Sequence, residues 1–404
     1  MAGCEWRSGG MYAIAGARVI DATGRPPIDD AVILVRDGRI AAVGRRADVA
    51  VPAGVRIIDA SGRTIVPGLW DMHAHAGQIE WAPAYLAAGV TTIRDMGGET
   101  TFLTAFRDAI DAGRGIGPRL LLAGLVDGDV EAAFGTTVAA TPQEGRAVVD
   151  QYHALGYRQM KLYTWLEPDV VRAITERAHA LGMTVTGHIP RALTLEQAID
   201  AGMDHVAHLP LSGPIASARN QNAIRALAQH HTVVDPTLSW NELLGHAPTV
   251  EPSSFQPGLK KAPWPIRAAY ASVRNDTDEA TVRARQQEQF PAIRALHEAG
   301  VPIVAGTDYG VPGHSLHREL ELYVLAGLAP IDALRTATAV PAQVMGLSGE
   351  SGTIEPGKRA DLLILVGDPL ADMSNIRRGR WVVVNGRMYE CAALWRLAGF
   401  DDPE

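Results

Sequence analysis

The 404-residue chain has only two cysteines, Cys4 and Cys391, one in each tail. Two such residues can build neither a disulfide framework nor a cysteine-rich zinc site, so any metal must be held by His, Asp, Glu or Lys. No apolar run approaches the ~20 residues that a bilayer-crossing helix needs, so no membrane span is expected. No block of like charge stands out either: 37 basic residues meet 45 acidic ones, for a net charge of -8. That balance argues against a nucleic-acid footprint. A Gly-x-Ser-x-Gly elbow is also missing, so nothing marks a serine nucleophile of that kind.

What is present is the profile of a soluble protein with a large core, since 47% of residues are apolar and 20% charged. The length suits an α/β barrel carrying a smaller companion. A small-molecule substrate and assembly into a homo-oligomer are expected. The start, Met1-Ala2-Gly3-Cys4, looks like the end of a lipoprotein cleavage box but lacks the preceding basic and apolar regions. The expected location is the cytoplasm, the alternative an exported lipoprotein with its leader removed.

Two β-rich ends flank a long middle. Ala31–Arg36, the pair Asp37-Gly38 and Arg39–Val43 form a strong hairpin signal. Asp361–Val366 and Trp381–Gly386 repeat the style, so residues 11–66 plus 351–390 should form one small β-sandwich domain. Between them, residues 67–350 alternate short apolar strands with helical patterns, the mark of parallel βαβ units. Candidate strands are 64–73, 89–95, 118–124, 158–163, 183–188, 204–208, 232–236 and 302–307. Amphipathic stretches such as Asp169–Leu181 lie between them, with Val170, Val171, Ile174 and Ala178 on one face. Eight such strands predict a closed (β/α)8 TIM barrel. The seventh connection is unusually long, 239–300, with Trp240, Trp264 and Lys260-Lys261; it is a candidate lid, or else a surface helix pair with no substrate contact.

Catalytic groups of a parallel barrel belong at the C-terminal strand ends, and five such ends here carry possible metal ligands. In Trp70-Asp71-Met72-His73-Ala74-His75, strand alternation points Asp71, His73 and His75 the same way, and the two imidazoles can chelate one divalent ion. Lys161 sits inside the apolar strand Gln159–Tyr163, where an unpaired ammonium is costly. It either meets a buried acid or reacts with carbon dioxide to give a carbamate that bridges two cations. Tyr163 shares its face, nearer the substrate. His188 ends Thr186-Gly187-His188. His205 and His208 are three apart, so alternation sends them to opposite sides; His208, at the strand end, is chosen as ligand and His205 is read as structural. Asp308 ends Val304-Ala305-Gly306-Thr307-Asp308, either as a helix cap or as a ligand that also serves as general base.

With those residues in place, the sequence resembles the amidohydrolase superfamily over nearly its whole length. The resemblance rests on Val66–His75, the lysine strand, the two histidine strands, Gly306-Thr307-Asp308 and the tail Gly352–Leu362. It implies a (β/α)8 barrel with HxH on strand 1, carbamylated lysine on strand 4, histidines on strands 5 and 6 and aspartate on strand 8. His73, His75, Lys161, His188, His208 and Asp308 match in turn. The nearer likeness is to the imidazolonepropionase-like and prolidase-like group. Imidazolonepropionase resembles a one-metal enzyme without the bridging lysine, so Lys161 argues against that activity.

The expected activity is therefore hydrolysis of an amide or peptide C–N bond by metal-activated hydroxide. Two divalent ions are expected, zinc by ligand type, with manganese or cobalt also fitting. Asp308 would be the base. Arg191, which could pair bidentately with a substrate carboxylate, and His314, which opens the segment after Asp308, join Tyr163 as candidates for substrate contact. The same centre could act on a lactone, ester, carbamate or phosphotriester, and a non-catalytic scaffold is disfavoured by the complete ligand set.

Overall fold

The computed structural model describes residues 5–6, 10–135, 137–273 and 277–401; Cys4, and with it the lipoprotein alternative, lies outside them. Strands from both chain ends form one nine-stranded sheet. Its order is Glu5–Trp6, Arg387–Glu390, Gly379–Val384, Leu362–Val366, Arg63–Pro67, Met11–Val19, Ile28–Arg36 and Arg39–Arg45, with Arg56–Asp59 also paired to Met11–Val19. Alternation along Met11–Val19 puts Tyr12 and Ile14 in one apolar cluster and Ala13 and Ala15 in another. The hairpin turn falls at Asp37-Gly38, both with positive φ (50° and 77°), as a tight two-residue turn demands.

The middle of the chain forms the barrel. Its first five strands, Leu69–Ala74, Val90–Asp95, Arg119–Val126, Gln159–Leu162 and Thr184–Gly187, pair in parallel in sequence order. His205–Ala207 and Val233–Asp235 follow as a parallel pair, and the Asp204 amide donates to the Val185 carbonyl to join them to the fifth strand. The eighth segment, 302–308, closes the ring. Val304 N donates to Val234 O at 3.0 Å on one side, and on the other Met72 N donates to Ala305 O at 2.8 Å.

The sequence reading of 64–73 as one strand is corrected here. The chain breaks at Pro67-Gly68 and changes sheet, Arg63–Pro67 pairing with Leu362–Val366 and Leu69–Ala74 with Val90–Asp95. Proline cannot donate to the ladder, and a Cβ on Gly68 would lie 2.2 Å from Thr91 Oγ1, so only glycine lets the barrel strand start that close to its neighbour. Packing of the helices follows the predicted periodicity. Helix Pro168–Ala180 buries Val170, Val171, Ile174 and Ala178, the burial of each valine and of the isoleucine being worth about 1.5–3 kcal/mol. The long seventh connection contains helices Leu238–Gly245, Trp264–Ala271 and Glu279–Glu298. Among the described residues, no helix is long and apolar enough to cross a membrane.

Candidate metal centre

Six of the predicted side chains converge at the mouth of the barrel. His75 Nε2 lies 3.2 Å and His73 Nε2 3.7 Å from Asp308 Oδ1. One ligand atom each from His73, His75 and Asp308 falls within 4.8 Å of the others. Lys161 Nζ is 3.5 Å from His73 Nε2. On the other side, His208 Nε2 is 2.8 Å from His188 Nε2 and 3.8 Å from Asp308 Oδ2.

The far ring nitrogens explain which way the imidazoles face. His73 Nδ1 pairs with Asp235 Oδ2 at 2.9 Å, His75 Nδ1 with the Gly97 carbonyl at 2.9 Å, and His208 Nδ1 with Thr237 Oγ1 at 2.7 Å. Each of these partnerships leaves Nε2 free for the centre, the arrangement that orients metal-binding histidines. His188 differs, since its buried Nδ1 has no partner among the described residues. Four imidazoles, one carboxylate and one amine aimed at the same space form a donor set that suits borderline divalent cations.

Burial sets the protonation of these groups. It pushes His188 down to about 3 and His208 to about 4, with the positive Lys161 adding to both, and holds His73 well below the usual imidazole range. Burial likewise brings Lys161 down to about 8, against the pull of Asp308 and Asp235. All four are thereby shifted toward the neutral form that binds metal or reacts as an amine. Asp308 keeps a carboxyl below its usual value even though burial opposes this, because the His75 hydrogen bond and the charges of His75, His208 and Lys161 favour the anion.

Backbone strain gathers at the same place. His208, Asp308 and Thr237 are non-glycine residues in the left-handed region, with φ of 65°, 53° and 50°. Each such residue costs about 1–3 kcal/mol unless its surroundings impose it. Around Asp308 they do: its amide donates to the His73 carbonyl at 2.6 Å and that of Thr307 to the same oxygen at 3.0 Å. The φ of His208 also corrects the argument from alternation. His205 faces the barrel interior too, its Nδ1 3.0 Å from Arg94 Nη1. His208 escapes the opposite face only because its left-handed backbone turns the side chain back inward. The two histidines occupy different layers of the interior, not opposite sides of the strand.

The remaining predicted residues divide. Tyr163 is beside the centre, its ring edge-on to His188 with centroids 4.3 Å apart and stacked on Phe134 at 4.7 Å. Arg191 is exposed, its guanidinium 4.8 Å above the Trp165 ring. His314 is not brought to the centre. It stacks on Trp395 at 4.3 Å and lies near Phe400, and a Cβ on Gly258 would strike its ring, so it serves as packing for the C-terminal helix. Asp71 points inward as expected but is sealed against Thr307, whose hydroxyl donates to it at 2.6 Å, and burial lifts its carboxyl to about 7.

Four neighbours escaped the sequence reading. Asp235 ends the seventh strand and Thr237 follows it, Arg94 lies within the second, and Tyr309 stacks flat on His75 at 4.2 Å. A signal existed for two of them, since Arg94 and Asp235 are charges placed in or against apolar strands, where an unpaired ion is costly. Tyr309 and Thr237 leave no such mark.

Comparison with known proteins agrees with this geometry. The Amidohydrolase family profile matches residues 64–388. The chain is 29% identical over 375 residues to an imidazolonepropionase of Sphingopyxis alaskensis, covering 85% of this chain and 88% of that one. It superposes with TM-score 0.74 and 28% identity on a prolidase-like structure from Bifidobacterium longum, covering 96% of this chain and 99% of that one. A bottromycin amidohydrolase structure gives TM-score 0.76 and 25% identity over 97% and 91%. The chain belongs to the amidohydrolase family, whose members typically use metal ions, and is a hydrolase acting on carbon–nitrogen bonds.

Proposed function

We propose that the protein is a binuclear metal-dependent amidohydrolase that cleaves the amide or peptide bond of an N-acyl amino acid, a dipeptide or a related amide. The observation that carries this reading is the convergence of His73, His75, His188, His208, Lys161 and Asp308 on one space, with three imidazoles oriented from behind. His73, His75 and Asp308 would hold one ion, His188 and His208 the other, and Lys161, carbamylated by carbon dioxide, would be shared between them. Zinc suits this donor set, and manganese or cobalt would fit it too. Divalent ions bound there would lower the pKa of water and polarise the scissile carbonyl.

The protein's own groups supply the rest. Asp308, held as an anion, accepts the proton released in the attack on the carbonyl and returns it to the departing amine. Tyr163 lies on the substrate side of His188, and Arg191 is the cation for a substrate carboxylate. Residues 239–300 form a lid. This is supported by Trp240, whose ring centroid is 6.1 Å from that of Tyr309, and by the Tyr270 hydroxyl, which donates to the Tyr309 carbonyl. The nearness of relatives named imidazolonepropionase and prolidase supports an amide-type bond, and Lys161 favours two metals over one.

Elemental analysis of protein produced with zinc and bicarbonate should give two equivalents of metal, and a panel of N-acyl amino acids, Xaa-Pro dipeptides, lactones and organophosphates should show turnover of the amides first. Lys161→Ala should hold fewer than two equivalents, and Asp308→Asn should lose turnover. Tight binding of two equivalents by Lys161→Ala would remove the bridge, and full turnover by Asp308→Asn would remove the base.

A further inference from the structure

Beneath the six converging side chains lies a second polar layer, centred on Arg94, that none of the chemistry above uses. Arg94 is fully buried in the barrel interior. Its Nε donates to the Met72 carbonyl at 2.5 Å, its Nη1 to Gln159 Oε1 at 3.1 Å and to His205 Nδ1 at 3.0 Å, and its Nη2 to Asp235 Oδ2 at 3.2 Å. One side chain thus ties the second strand to the first, fourth, sixth and seventh. Asp235 is equally buried and is the one acid within ion-pair distance of it among the described residues.

The oxygen that Arg94 holds is the oxygen that meets His73. Asp235 Oδ2 accepts from Arg94 Nη2 and pairs with His73 Nδ1 at 2.9 Å, while Oδ1 is buried without a partner among the described residues. Among the described residues the carboxylate has no other side-chain or backbone donor to fix its rotation. We infer that Arg94 is a positioning residue for the metal centre: it sets the rotation of Asp235 so that the carboxylate accepts a hydrogen bond from His73 Nδ1–H and leaves the His73 Nε2 lone pair directed toward the metal. Partners of this kind behind a ligating histidine change metal affinity about 10–100-fold when lost. Arg94 acts one shell further out, through Asp235, and the buried ion pair gives it purchase, since removal of one partner leaves the other charge uncompensated.

The inference rests on the reading of His73 as a metal ligand, and the test separates the two. In metal-free protein labelled with 15N-histidine, NMR should show His73 as the Nδ1–H tautomer; in Arg94→Met the two tautomers should mix. Zinc affinity, read by chelator competition, should fall about ten- to a hundred-fold in Arg94→Met, and Asp235→Asn should show a similar loss. Because Arg94 works through Asp235, Arg94→Met added to Asp235→Asn should cause no further loss. That double variant also removes both buried charges, so it reports even if Arg94→Met alone does not fold. An unchanged tautomer in Arg94→Met, or a further tenfold loss in the double variant relative to Asp235→Asn, would overturn the inference. Wild-type protein that bound no zinc would instead overturn the metal-centre reading and leave the tautomer result standing.

Discussion

Gly306 lies where the eighth segment crosses behind His73, and Gly306→Ala tests how tightly the centre is built. A Cβ at this position would sit 2.3 Å from Asp235 Oδ1, 2.6 Å from His73 Cβ and 2.9 Å from the His73 amide nitrogen. Ordinary contact begins near 3.4 Å, so the Asp235 carboxylate would have to retreat by about 1 Å. The two carboxylate oxygens move together, so the 2.9 Å contact from Oδ2 to His73 Nδ1 would stretch beyond hydrogen-bonding range. Strand Leu69–Ala74 cannot yield instead, because its amide at Met72 is tied to Ala305 at 2.8 Å. Overpacking costs about 1–3 kcal/mol, and a buried hydrogen bond left unmade adds about 1–3 kcal/mol. Metal-free Gly306→Ala should therefore unfold in urea with about 2–6 kcal/mol less stability, and zinc affinity should fall with it. Wild-type stability together with wild-type zinc affinity would show that the barrel floor relaxes freely and that Asp235 does not need its present rotation.

Thr237→Val removes the hydroxyl 2.7 Å from His208 Nδ1; dialysis against a chelator should strip metal from this variant about 10–100-fold more readily, and equal retention would show that His208 needs no orienting partner. His188 and His208, held at about 3 and about 4 against an ordinary 6.5, bind fewer protons folded than unfolded. The stability of the metal-free protein should therefore fall as pH drops below about 6.5, by up to about 1.4 kcal/mol per unit for each histidine, the His208 contribution levelling off near pH 4 and that of His188 near pH 3. A melting temperature independent of pH from 7 to 5 would contradict that sign. Trp395→Ala, which removes the ring stacked on His314, should destabilise the protein by about 3–5 kcal/mol while leaving KM unchanged; a raised KM would return His314 to the substrate pocket.

Much of the fold was legible in the order of residues alone. Short apolar runs punctuated by Gly and Pro marked the strands, and a stripe such as Val170, Val171, Ile174 and Ala178 marked a helix, because burial of an element leaves a local pattern in the sequence. The candidate ligands could be found for a related reason: a parallel barrel gathers its C-terminal strand ends, so His73, Lys161, His188 and Asp308 share one mouth if the barrel closes at all. The sequence also carried Lys161 as an ion inside an apolar strand, a local anomaly that needs no tertiary knowledge to notice.

What only the tertiary structure decided depends on backbone torsion and on partners distant in sequence. No pattern announces that His208 and Asp308 adopt left-handed φ, and alternation misjudged the relation of His205 to His208 for that reason. The His314 ring was placed by Trp395, 81 residues further along the chain, an approach set by packing of the C-terminal helix rather than by any feature near Asp308. Arg94 and Asp235, 141 residues apart, meet only because the second and seventh strands face each other across the interior. Local periodicity determined which elements form and which strand ends carry candidate ligands; closure of the barrel determined which nitrogen of His73, His75 and His208 faces the shared space at its mouth.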